Sequence, residues 1–95
     1  MKFYPKVFYG DADILTDITL LNSTLRSNRY TTITVDAKDY IYICIPVEFG
    51  KPAFFVNGFE GGFELLDSNY KYNSISYYIY RSDYAGLGNT TITIK

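Results

Sequence analysis

Residues 40–46 read Tyr-Ile-Tyr-Ile-Cys-Ile-Pro, and they alternate without a break. Ile41, Ile43 and Ile45 point one way, and Tyr40, Tyr42 and Cys44 the other. A period of two carried by β-branched and aromatic side chains predicts a strand, and no other stretch of the chain carries so strong a signal. Pro46 and Gly50-Lys51-Pro52 interrupt the pattern, 53–56 resumes it, and Asn57-Gly58 turns it again. Phe59-Glu60-Gly61-Gly62-Phe63 follows, which folding needs alone explain less well.

Around this stretch the rest of the chain reads as more strands. Residues 3–9 predict a first strand that lies at an edge or begins beyond Pro5, since proline cannot donate to a ladder; Gly10 ends it. Asp11 and Asp13 offer helix N-caps, and Ile14, Ile18, Leu21 and Leu25 then fall on one helical face, predicting a short helix over 13–21. Residues 22–28 read as a polar connection. Residues 30–35 return to period two, and the polar turn 36–39 predicts a hairpin with 40–46. Strands are expected at 53–56 and 63–66, with a turn at Asp67-Ser68-Asn69. A long strand covers 70–81, broken near Asn73-Ser74, and a last one ends the chain with Ile92 and Ile94 inward. About seven strands at this spacing predict a single antiparallel β-sandwich of Ig-like type spanning residues 1–95.

The balance of residue types narrows the function. Eleven tyrosines and seven phenylalanines in 95 residues argue against disorder and supply large apolar areas, many with a polar tip. A net charge of −1, with Lys and Arg scattered, argues against a nucleic-acid partner. No apolar run is long enough for a membrane span, and the first residues lack a signal-peptide pattern. Cys44 is the lone cysteine and reads as a small interior residue. The chain has no histidine, which removes the commonest general base and metal ligand. Glu60 and Glu64 are the carboxylates left for acid–base work, against a plainer reading as solvated loop acids. Overall the chain reads as a non-enzyme without a cofactor.

Three constellations stand out. Asp11, Asp13 and Asp17 form a D-x-D-x3-D cluster that reads as helix capping or, alternatively, as a Ca²⁺ site. Residues 57–63 carry three glycines and two phenylalanines, and read either as a tight turn with one Phe tucked inward or as an exposed aromatic contact loop. In an extended segment Phe59 and Phe63 face the same side. Tyr70, Tyr72, Tyr78, Tyr80 and Tyr84 predict an outward tyrosine stripe suited to an interface or to sugar rings. Lys2, Lys6 and Lys95 sit where charge blunts the edges expected near Pro5 and at Ile92–Ile94, edges otherwise open to a second copy.

The succession Phe8-Tyr9-Gly10, Asp13-Ile14-Leu15, Leu21-Asn22-Ser23-Thr24-Leu25, Arg29, the strand 30–35, Tyr40-Ile41-Tyr42 with Ile45-Pro46, Val56-Asn57-Gly58-Phe59 and Tyr80-Arg81-Ser82 resembles a family of small domains in tailed-bacteriophage virion proteins. Relatives of this kind form the ends of tail fibres and occur as short free-standing structural proteins. The resemblance implies a non-enzymatic structural or accessory protein that decorates the capsid or associates with a fibre. It would be made in the bacterial host cytoplasm and located in the virion, its partners other virion proteins. The alternative it implies is an adhesin module that binds a receptor or glycan on the host surface. A start at Met1 without a shaft or trimerisation segment favours the accessory role over the fibre tip.

Overall fold

In the computed structural model, which describes residues 6–25 and 30–95, nine strands form. They are β1 (Lys6–Ala12), β2 (Asn22–Leu25), β3 (Thr31–Ala37), β4 (Tyr40–Pro46), β5 (Phe54–Val56), β6 (Phe59–Glu60), β7 (Phe63–Tyr72), β8 (Ile75–Ser82) and β9 (Gly88–Ile94). One antiparallel sheet has the order β2-β1-β4-β8-β7 and the other β3-β9-β5-β6. The fold is all-β and sandwich-like, as the alternation predicts, with two short strands, β2 and β6, added where a connection and a loop were expected.

The two faces of β4 explain the architecture. Ile41, Ile43 and Ile45 are buried between the sheets with Val7, Ile33, Val35, Ile92 and Ile94. Tyr42 and Cys44, on the opposite face, are buried too, in a second cluster with Ile18, Tyr77 and Ile79. A strand with both faces apolar must be central, and β4 lies in the middle of the five-stranded sheet. Each fully buried Ile or Val contributes roughly 1.5–3 kcal/mol of transfer free energy, so these two clusters dominate the stability.

That demand overturns the expected hairpin of 30–35 with 40–46. β3 alternates buried and exposed residues and belongs to the other sheet, where it pairs with β9 from Thr31↔Ile94 to Ala37↔Gly88. Lys38 and Asp39 cross between sheets, and the Asp11 carboxylate accepts from both of their backbone N–H groups, at 3.1 and 2.8 Å. Those two amides therefore need no hairpin partner.

The helix expected over 13–21 is absent; one 3-10 turn, Ile18–Leu20, stands there. Its cap is Asp17, not Asp11 or Asp13, with the carboxylate accepting from Thr19 N–H at 2.9 Å. The helical face does not exist either, since Ile14 and Leu25 are exposed. Leu15, Ile18 and Leu21, three residues apart, are the ones packed on the outer face of the five-stranded sheet. Burial of that face by an extended strap wins over a helix weakened by β-branched Ile14, Thr16, Ile18 and Thr19.

The remaining corrections concern edges and turns. β1 begins at Lys6, just past Pro5, and runs through Gly10 to Ala12. It is flanked by β2 and β4, so it is no edge, and residues 3–5 with Lys2 lie outside the described residues. A Cβ at Gly10 would stand 2.9 Å from Leu21 Cδ2, which is why the strap can cross the strand at that point. Residues 22–25, read as part of a polar connection, form β2 instead. β9 lies between β3 and β5, so Ile92 and Ile94 are interior and not on an edge. Asp67-Ser68-Asn69 stays within β7, whose register shifts at Leu65/Asp67 and Asp67/Tyr70 absorb what reads as a turn.

Candidate contact surface

The segment 57–63 divides its two phenylalanines between opposite fates. Asn57 and Gly58 occupy the tip of the β5–β6 hairpin with φ of 49° and 89°, and Val56 faces Phe59 across it. Two positive-φ residues closing a two-residue loop are what strand twist favours, and Asn-Gly supplies them. Asn57 also ties the hairpin to β9: its Oδ1 accepts from Thr91 N–H at 3.0 Å and its own N–H donates to Thr91 O at 2.8 Å. On this braced hairpin Phe59 is 80% exposed.

Phe63 is turned the other way. Gly61 and Gly62, with φ of 100° and 90°, carry the chain from one sheet to the other. Phe63 then begins β7 with its ring 4.7 Å from that of Phe54, against the inter-sheet core. The expectation that the two rings share a side fails because the segment is not continuously extended. The segment therefore tucks Phe63 and displays Phe59.

The tyrosines do not form one stripe. Tyr78 and Tyr80 face the inter-sheet core, and Tyr80 is 7% exposed with its ring 4.7 Å from that of Phe54. Tyr70 and Tyr72 pair with Tyr77 and Ile75, which turns them to the outer face, where the Tyr72 ring lies 5.7 Å from that of Phe8. Tyr84 stands apart in the 83–87 loop and is 74% exposed. Strand parity explains the split: even positions of β8 point inward and odd ones outward.

Backbone bonds tie the loop that carries Tyr84 to its neighbours. Asp83 N–H donates to Gly62 O at 2.9 Å, joining the connection after Phe59 to the loop that carries Tyr84. Gly86 N–H donates to Asp39 O at 3.0 Å and anchors that loop's far side. Ser82, fully buried, holds its near side: its hydroxyl accepts from Ile41 N–H at 3.0 Å and donates to Tyr84 O at 2.8 Å. Tyr84 is thus displayed on a multiply bonded loop, as Phe59 is on its hairpin, and Leu87 of the same 83–87 loop is exposed too. Leu87 escaped sequence reasoning because a single leucine in a Gly-rich loop carries no periodic signal.

A concavity of about 350 Å³ lies on the outer face between the strap and β7. Ile14, Leu15, Tyr42, Leu66, Tyr70 and Ile79 contribute most of its apolar lining. Tyr70 is the one sequence-derived site residue here. Ile14 and Leu66 line it only because the strap is not helical and β7 is irregular, facts with no local sequence signature.

The acidic candidates are dispersed. Asp11 serves the 38–39 crossing and Asp17 the 3-10 turn, and Asp13 contributes its carbonyl to Tyr42 Oη at 3.4 Å. The Thr19 N–H holds the Asp17 carboxyl below its ordinary range. Among the described residues no three His, Cys, Asp or Glu side chains gather into a metal-binding group. Glu60 lies on β6 opposite Phe55, whereas Glu64 lies in the other sheet, where it accepts from Arg81 at 3.3 Å. The Arg81 guanidinium also stacks on Tyr40, 4.7 Å from the ring centre. Cys44 is buried, and burial pushes its thiol from 9.0 up to about 12, which suppresses the thiolate that reactivity requires.

No protein-family model, curated protein or solved structure matches the chain. Among the described residues no helix is long and apolar enough to cross a membrane.

Proposed function

We propose that this protein is a non-enzymatic structural or accessory component of a bacteriophage virion that works through protein–protein contact, with Phe59 at the centre of the contact. The observation that carries the contact role is the near-complete exposure of Phe59 on a hairpin braced by Asn57. A large aromatic displayed on a rigid turn gains nothing for folding, and rigid aromatics are what interface centres use. The virion assignment draws on the sequence resemblance, with which a small, strand-rich adaptor accords.

Its test is a mass-spectrometric inventory of purified particles, in which the protein appears at fixed stoichiometry with the capsid or fibre proteins. Phe59→Ala lowers that stoichiometry and leaves thermal stability within about 0.5 kcal/mol, the range of ordinary surface substitutions. Absence from intact particles defeats the proposal.

Tyr84, exposed on a loop whose Asp83 N–H bonds Gly62 O after Phe59, favours a second reading: a glycan- or receptor-binding module in which the two rings stack on a sugar face. A glycan array separates the two, since this reading requires binding that Phe59→Ala and Tyr84→Ala each abolish.

A further inference from the structure

Each sheet of the sandwich has two edges, and three of the four are blunted. β2 is four residues long, β6 is two, and β7 is broken by its two register shifts. β3 is different. It runs seven residues in unshifted register with β9 and contains neither proline nor lysine. Among the described residues no strand pairs with its other side. Natural sheets avoid a long regular edge of this kind unless something pairs with it.

The backbone polarity of that edge follows from the β9 ladder. Lys95 and Ala53 exchange both backbone bonds, at 2.9 and 3.1 Å, and Asn57 N–H donates to Thr91 O. Thr91 and Lys95 therefore turn their backbone groups toward the β5 side. Alternation directs those of Thr90, Ile92 and Ile94 to β3, where Val35, Ile33 and Thr31 receive them. Thr32, Thr34 and Asp36 are left with N–H and C=O groups aimed at the open edge, and all three are exposed.

We infer that β3 is a homodimerisation edge, pairing antiparallel with β3 of a second copy about a two-fold axis through Thr34. In this register Thr34 faces its own counterpart and Thr32 faces Asp36 of the second copy. Every open-edge N–H and C=O of the three residues finds a partner. A Thr32 hydroxyl meets an Asp36 carboxylate on each side of the axis, a favourable cross-strand pair. The two Asp36 charges stand roughly 14 Å apart along the strands, whereas parallel pairing would place them about 5 Å apart. That charge separation selects the antiparallel arrangement, and because the same strand serves both partners the assembly closes as a dimer. The four-stranded sheet becomes one continuous eight-stranded sheet. This inference is independent of any virion role.

Sedimentation equilibrium of the full chain tests it, with a concentration-dependent monomer–dimer equilibrium expected. Thr34→Pro removes an N–H that faces away from β9, a position where an edge strand tolerates proline. It is expected to raise the dimer dissociation constant roughly tenfold or more while the monomer stays folded by circular dichroism. Thr34→Cys reads the register directly. A hydrogen-bonded pair holds Cα atoms about 5.5 Å apart, within disulfide reach, so a mild oxidant yields a covalent dimer. Asp36→Cys does not cross-link, and buried Cys44 stays silent in both variants. A wild-type chain monomeric to about 1 mM overturns the inference. So does a dimer indifferent to Thr34→Pro, or cross-linking at position 36 equal to that at 34.

Discussion

At the scale of single residues, small polar side chains hold roles that are invisible in a linear sequence. Ser82 is the clearest. It ends β8 fully buried and bridges Ile41 N–H to Tyr84 O, so it serves a core strand and a surface loop at once. Ser82→Ala strands the Ile41 amide in the interior, and denaturant titration is expected to show a loss of about 1–3 kcal/mol. Cys44 illustrates the opposite case, a residue whose place was legible from alternation alone. Its folded-state pKa of about 12 lies above the ordinary 9.0, so the unfolded thiol ionises first. Stability is then complete below about pH 9 and falls as pH rises toward 12, with a limiting slope of about 1.4 kcal/mol per pH unit. Burial raises the Tyr77 and Tyr80 phenols as well, which steepens the loss at the upper end. Cys44→Ala flattens the first part of that decline in denaturation midpoints measured against pH. In wild type, thiol-labelling reagents react only after unfolding.

At the scale of elements, turns and edges decide what alternation leaves open. The β7–β8 hairpin closes through Asn73 and Ser74 with φ of 49° and 65°, and Tyr72 pairs with Ile75 across them. Left-handed backbone costs a non-glycine residue roughly 1 kcal/mol, and this loop type prefers glycine second. Ser74→Gly is therefore expected to stabilise the protein by about 1 kcal/mol, raising the thermal midpoint by roughly 4–8 °C in a domain of this size. The β5–β6 turn already has that Asn-Gly form, and it is the turn that displays Phe59. Both breaks, at 57–58 and near 73–74, are legible in the sequence. The helix expected over 13–21 rests on the helical spacing of Ile14, Ile18, Leu21 and Leu25, whereas the residues that pack are Leu15, Ile18 and Leu21, presented by an irregular strap with one 3-10 turn. Periodicity alone cannot choose between helix and strap, and the uncovered outer face of β4 and β8 did.

At the scale of the whole molecule, the topology is dominated by pairings distant in sequence. β3 pairs with β9, and β4 lies between β1 and β8, so neither sheet can form before remote segments meet. Such non-local order predicts slow folding, in milliseconds to seconds and not microseconds, measurable by stopped-flow fluorescence of the tyrosines. Alternation at 40–46, 75–82 and 90–94 determined the strands, which residues share a face and the all-β class, because side-chain direction in a strand is a local property with period two. Which face of 75–82 turns inward came from the fold, and it is the Tyr78–Tyr80 face. What local pattern could not determine is which strand lies beside which. The hairpin of 30–35 with 40–46 was the natural reading of a short polar turn, yet Asp11 satisfies that turn's amides from another strand and lets the chain cross between sheets. The same limit applied to the site. Phe59 and Tyr84 were legible as candidates, but only the packed sheets separated them from Phe63, Tyr78 and Tyr80. Burial is a property of what lies opposite a residue, and that is set by the fold as a whole.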